Sequence, residues 1–131
     1  MNFARDVVEA AEPQRLALVE RSRDGARREW SFGEVARAAR TLAACFEERG
    51  VTRGDVVMTL VGNLADWVAA MVACFRHGYV VLPCTEQLRP KDLRLRLDVA
   101  RPALVIADGR NRPAAISWQR FTVGAALRSD L

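Results

Sequence analysis

An α/β architecture, with a β-hairpin leading into helices that alternate with mostly parallel strands, is expected from this sequence on three grounds. Apolar residues recur at helical spacing over 35–46 and 64–77, and each stretch has start and stop signals. Short runs rich in valine, leucine and isoleucine, at 55–61, 79–82 and 104–107, lie between and after them. Strands separated by helices need crossover connections, and such connections place their strands parallel in one sheet.

The elements follow in chain order. Residues 2–11 form a short amphipathic helix, with Phe3, Val7 and Ala10 at helical spacing before Glu12 and Pro13 stop it, and it docks on the domain. Residues 16–20 and 29–32 flank the turn signal Arg23-Asp24-Gly25 and read as a hairpin. Ser31 with Glu34 makes a capping box, in which each side chain satisfies an otherwise unpaired backbone N–H. Val35, Ala39, Leu42, Ala43 and Phe46 continue as one stripe, and Gly50 supplies a left-handed stop.

The run 55–61 suits a strand buried on both faces. Asn63 is expected to cap the next helix, 64–77, where Asp66 at the start and Arg76 and His77 at the end complement the helix dipole before Gly78 ends it. No charge lies between Asp66 and Arg76. Trp67, Val68, Met71, Val72 and Phe75 are therefore expected to face the core, with alanines covering the rest, and a helix apolar all round should be sandwiched. Residues 79–82 and 104–107 are short strands. Over 93–99, Leu93, Leu95, Leu97 and Val99 alternate with Arg94, Arg96 and Asp98 as in a half-buried strand. Pro90 in a first turn, Asp92 near the start and the helix-forming leucines and arginines favour a helix, with an edge strand as the alternative. Residues 1–109 thus form an incomplete α/β unit, and 110–131 are expected to be a loosely ordered basic extension.

Composition sets outer limits. The 131 residues and 14.6 kDa correspond to about 6,900 Å² of folded surface against about 21,000 Å² unfolded, enough burial for a core. The longest apolar run, 67–75, is nine residues, well short of the roughly twenty of a membrane helix. The N-terminus mixes Arg5, Asp6 and Glu9 into its apolar residues, unlike a signal peptide, so a cytoplasmic protein is expected, without membrane association. Net charge is +4, but basic and acidic residues number 16 and 15 through Gly109 and 4 and 1 beyond it. A basic tail without a clustered basic face argues against nucleic-acid binding.

Few residues invite chemistry. The glycines, at 25, 33, 50, 54, 62, 78, 109 and 124, fit neither GxGxxG nor a P-loop. Cys45, Cys74 and Cys84 match neither a zinc site nor a CxxC pair and read as buried free thiols. Cys84 follows Pro83 at a strand end, where active sites of open sheets lie, but no histidine or basic cluster adjoins it. His77, the only histidine, reads as a dipole-stabilised surface residue in preference to a catalytic base, and Trp67 as packing. The residues themselves nominate no catalytic, cofactor-binding or metal-binding position.

Resemblance goes further. Trp30-Ser31-Phe32-Gly33-Glu34-Val35, then 50–57 (GVTRGDVV), then Asn63 with Trp67, then 75–83 (FRHGYVVLP) resemble in order the start of the adenylate-forming, AMP-binding enzymes that include the acyl-CoA synthetases. Asn2-Phe3-Ala4 with Asp6-Val7-Val8, and Arg89-Pro90-Lys91-Asp92-Leu93 with Arg96-Leu97, resemble the medium-chain acyl-CoA synthetase branch. Departures are Val61-Gly62-Asn63-Leu64, where many relatives have a proline-containing loop, and Cys84, where this branch often has glycine.

The resemblance implies a partial N-terminal subdomain of the adenylate-forming fold, over residues 2–108. It implies an enzyme that uses ATP, Mg and CoA to turn a carboxylate into an acyl-adenylate and then a thioester. The family's phosphate loop, nucleotide contacts and catalytic lysine lie beyond the matched region, and Lys91 belongs to an early helix that cannot supply that lysine. The chain alone is therefore expected to be inactive and to bind none of these cofactors: a truncated gene, a split subunit or an excised segment. Its expected partner is the remainder of the synthetase, docked on an apolar patch left by the helix at 67–75. The alternative is a stand-alone module that self-associates or binds a partner, and a third reading is a small nucleotide-binding regulator.

Overall fold

Local signals set most element boundaries in the computed structural model, which describes residues 1–107 together with Thr122–Val123. A π-helical turn, Ala4–Val8, precedes strands β1 (Leu16–Arg21) and β2 (Arg27–Ser31). Then come helix α1 (Phe32–Glu48), strand β3 (Val56–Leu60), helix α2 (Ala65–His77), strand β4 (Val80–Pro83), helix α3 (Pro90–Ala100) and strands β5 (Leu104–Ala107) and β6 (Thr122–Val123). The residues that were ambiguous at 93–99 are helical.

Both ends of α1 form as their residues require. The Glu34 N–H donates to Ser31 Oγ at 3.2 Å and the Ser31 N–H donates to Glu34 Oε2 at 3.0 Å. At the other end, Gly50 has φ +80°, its N–H donates to the Glu47 carbonyl, and the Val51 N–H donates to that of Phe46. This is a Schellman stop, and the buried Phe46 and Val51 are the apolar pair that accompanies it. The expected stripe of Val35, Ala39, Leu42, Ala43 and Phe46 is buried.

The four-stranded sheet has the order β4-β3-β5-β6, all parallel. Because side chains alternate across a strand, Val57, Leu104 and Ile106 face one layer, with α1 and α2. Met58, Leu60, Val105 and Ala107 face the other, with Leu93 and Leu97 of α3. Helices thus cover both faces, as an all-parallel sheet requires. The antiparallel hairpin β1-β2 forms a separate two-stranded sheet beside α1.

Four expectations need correction. The N-terminal segment buries Ala4 and Val8 and leaves Phe3, Val7 and Ala10 exposed, because its π-type winding turns the small alanine toward α1 and α2. Phe3 instead meets the ring of Phe75 edge-on at 6.2 Å. Helix α2 follows the expected faces only in part: Val72 is buried and Val68 packs on the core as expected, but the alanines expected to cover the rest, Ala65, Ala69, Ala70 and Ala73, are buried with Cys74, while Trp67 and Met71 are half-buried and Phe75 is 38% exposed. The reason is that α1 presents Ala36, Ala38, Ala39 and Ala43 on its own buried face, and small side chains on both helices allow close approach.

Asn63 does not cap α2. Leu64 occupies the cap position, and the Ala65 N–H donates to Glu20 Oε2 of β1 at 2.7 Å. Of the three free cysteines only Cys74 is buried, while Cys45 and Cys84 are half-buried. The expected loose extension at 110–131 lies outside the described residues except for Thr122–Val123, which pairs with Val105 and Ile106.

Candidate functional site

Parallel strands put the segments that follow them at one edge of the sheet, and ligand sites of open α/β folds lie outside the carboxyl ends of the strands. At that edge the segments after β3 and β4 enclose a crevice of about 350 Å³. Val61, Gly62, Asn63 and Trp67 line one side, and residues 83–87 (PCTEQ) the other. Gly62 lets the Glu86 carboxylate lie close to the loop, since a Cβ there would stand 2.8 Å from Glu86 Oε2 and the Glu86 side chain would have to shift. The opposite wall is held by one backbone bond, from the Cys84 N–H to the Thr59 carbonyl at 2.8 Å, and by a side-chain acceptor, Thr85 Oγ1, which takes the Gln87 N–H at 3.3 Å. Thr59 is wholly buried beneath, and its hydroxyl has no partner among the described residues.

Burial pushes the Cys84 thiol above its ordinary range, against a weaker opposing pull from Arg96, so this thiol stays protonated near neutral pH. His77 cannot activate it. Helix α2 starts at the carboxyl edge of the sheet and runs back, so His77 sits at the amino edge, where the Gly54 N–H donates to the Gly78 carbonyl at 3.0 Å. There His77 Nδ1 is 3.3 Å from Glu47 Oε1 and its ring stacks on Tyr79 at 5.7 Å. Glu9, Arg40, Ala44 and Arg76 complete a second groove around it, in which Arg76 Nε pairs with Glu9 Oε1 at 3.0 Å. These contacts tie the N-terminal segment and α1 to the end of α2.

The other residues that drew notice are dispersed. Lys91 is exposed in the first turn of α3, and Cys74 is sealed in the core with its thiol pushed up to about 12 by burial. No group of three or more His, Cys, Asp or Glu side chains among the described residues could hold a metal ion. The sequence marked the segment Val61-Gly62-Asn63-Leu64 and Cys84 as departures from the family pattern but gave no sign of Glu86 or of its approach to Gly62. The only local signal was Gly62 itself, which marks the end of a strand in many contexts.

Comparison with known proteins places this geometry. The family described as "AMP-binding enzyme" matches residues 5–129, beyond the span of the motifs. Human acyl-coenzyme A synthetase ACSM3, a mitochondrial protein, is 32% identical over 122 residues, covering 86% of this chain and 21% of that protein. Rat acyl-coenzyme A synthetase ACSM5 is 31% identical over 121 residues, with the same shares. Both agree with the medium-chain acyl-CoA synthetase resemblance. Among solved structures, an acyl-CoA synthetase of Brucella canis superposes with TM-score 0.81 at 23% identity, over 89% of this chain and 22% of that one. MatB of Rhodopseudomonas palustris superposes with TM-score 0.81 at 22% identity, over 98% and 27%.

The chain spans about a fifth of the length of the curated relatives it matches. Its hairpin, helices and parallel sheet are those of part of the adenylate-forming fold. The chain therefore belongs to the AMP-binding enzyme family, in which its relatives are acyl-coenzyme A synthetases.

Proposed function

We propose that this chain is the N-terminal scaffold subdomain of an ATP-dependent acyl-CoA synthetase and that, without the rest of such an enzyme, it forms no acyl-adenylate. The reading rests above all on coverage, since nearly the whole chain matches and it matches about a fifth of each relative. Chemistry supports it. Transfer chemistry at a triphosphate needs preorganised donors and cations around the phosphates. Among the described residues, the crevice at the strand ends is lined by one carboxylate, Glu86, one thiol raised in pKa, Cys84, and no arginine or lysine. ATP, Mg and CoA belong to the complete enzymes of the family. Here the partner is the remainder of the synthetase, and the proposed compartment is the cytoplasm, although the vertebrate relatives are named as mitochondrial proteins.

Pyrophosphate release from ATP and a series of medium-chain carboxylic acids, measured with the purified chain, tests the reading. The expected result is the no-enzyme background, and turnover above it refutes the proposal. A self-associating module is the second reading, favoured by the exposed Val80 on β4, which is an edge strand among the described residues. A concentration-dependent shift to a defined dimer in sedimentation velocity would support that reading instead.

A further inference from the structure

Helix α3 is apolar on two opposite faces. At about 100° per residue, Leu93 and Leu97 lie on one side, and Leu95 and Val99 lie on the other. The first pair is 3% exposed each and packs on Met58, Leu60, Val105 and Ala107 of the sheet. The second pair is 62% and 77% exposed. The same geometry puts Lys91 and Asp98 on one flank of the outer stripe and Asp92 and Arg96 on the other, so a rim of mixed charge frames an apolar centre. That is the composition of an interface: an apolar core within a polar margin.

A helix at a free surface has one apolar stripe, and a second on the opposite side belongs to a helix held between two layers. The strand-like alternation of residues 93–99 has the same origin, since apolar residues two apart fall on opposite sides of a helix. On the far side of the sheet α1 and α2 pack on each other and the N-terminal segment covers part of α2, although Phe3, Val7 and Phe75 stay partly exposed there.

We infer that the outer face of α3, centred on Leu95 and Val99, is the docking surface for the synthetase polypeptide that follows this segment. The inference rests on the proposed function and adds where the parts meet. Its occupant is argued from coverage: the solved relatives superpose on 89% and 98% of this chain, yet 22% and 27% of their own residues take part. The rest of such a chain is available to cover this subdomain, and α3 offers it Leu95 and Val99, at 62% and 77% exposure, on a face that nothing among the described residues covers.

Leu95→Cys and Val99→Cys, made singly in this chain, and cysteines at the superposing positions of the full-length Brucella canis acyl-CoA synthetase, are pulse-labelled with a maleimide and read by peptide mass spectrometry. Labelling in the full-length enzyme should be slower by roughly tenfold or more, because it then requires local opening. Equal rates overturn the inference. So does slow labelling of this chain that slows further with protein concentration, which would assign the face to a second copy. Hydroxyl-radical footprinting of the unsubstituted proteins at the same positions gives the same comparison should a cysteine disturb folding. Pyrophosphate release by this chain would refute the proposed function and leave the labelling ratio to be read independently.

Discussion

Removing the Glu20 carboxylate tests how the start of α2 is held. Glu20 lies in β1 and accepts the Ala65 N–H at 2.7 Å from 45 residues away, and Leu64 at the cap position has no side chain able to do so. Loss of an N-cap bond costs about 1 kcal/mol. A carboxylate also interacts with the positive end of the helix dipole for about 0.3–1 kcal/mol. Glu20→Ala should therefore destabilise the chain by about 1.5 kcal/mol, since Ala65 is buried and water cannot freely replace the lost acceptor.

With a urea slope of roughly 2 kcal/mol/M, the unfolding midpoint should fall by about 0.8 M. Glu20→Gln, which keeps an acceptor and loses the charge, should cost about half as much. Asn63→Ala, at the position the sequence nominates and the structure leaves exposed, should change stability by less than about 0.5 kcal/mol. Urea titration followed by tryptophan fluorescence measures all three. A cost for Asn63→Ala equal to or above that of Glu20→Ala would refute the assignment of the cap.

Further expectations concern the core, a turn and one thiol. Phe46→Ala removes a side chain with no exposed surface and should cost about 3–5 kcal/mol, leaving little or no cooperative unfolding transition in calorimetry. Gly78→Ala puts a Cβ at φ +71° and 3.2 Å from the Arg53 side chain, so a loss of about 1–2 kcal/mol is expected in the same assay. Burial raises the Cys74 thiol from 9.0 to about 12, so the folded state favours its neutral form. The contribution is fully present below pH 9 and is lost as pH rises toward 12, and Cys74→Ala should flatten the alkaline part of the stability profile. Iodoacetamide at neutral pH should leave Cys74 unmodified in the native chain, and its modification at the rate of an exposed thiol would contradict that burial.

Signals that act within one or two turns of chain were legible in the sequence. The capping box of Ser31 and Glu34, the left-handed stops at Gly50 and Gly78 and the three strand runs depend on neighbours a few residues away. Membership of the family was legible because several motifs recur in one order. Which face of α2 is buried was not legible, because hydrophobicity alone ranks Trp67 and Phe75 above alanine, whereas close packing against an alanine-rich α1 favours the smaller residues.

The crevice was hidden for a similar reason. Gly62 and Glu86 approach each other only because β3 and β4 are parallel neighbours whose loops emerge at one edge. Glu20 holds α2 only because the hairpin folds back beside that helix's start. The alternation over 93–99 gave an intermediate case. It resembled a half-buried strand with one apolar face, and only the helical winding of α3 and its placement on the sheet decided that Leu93 and Leu97 are covered while Leu95 and Val99 are left open. Short-range backbone and capping preferences are properties of a segment. Burial and helix caps contributed from afar depend on which surfaces meet, and those meetings exist only in the folded chain.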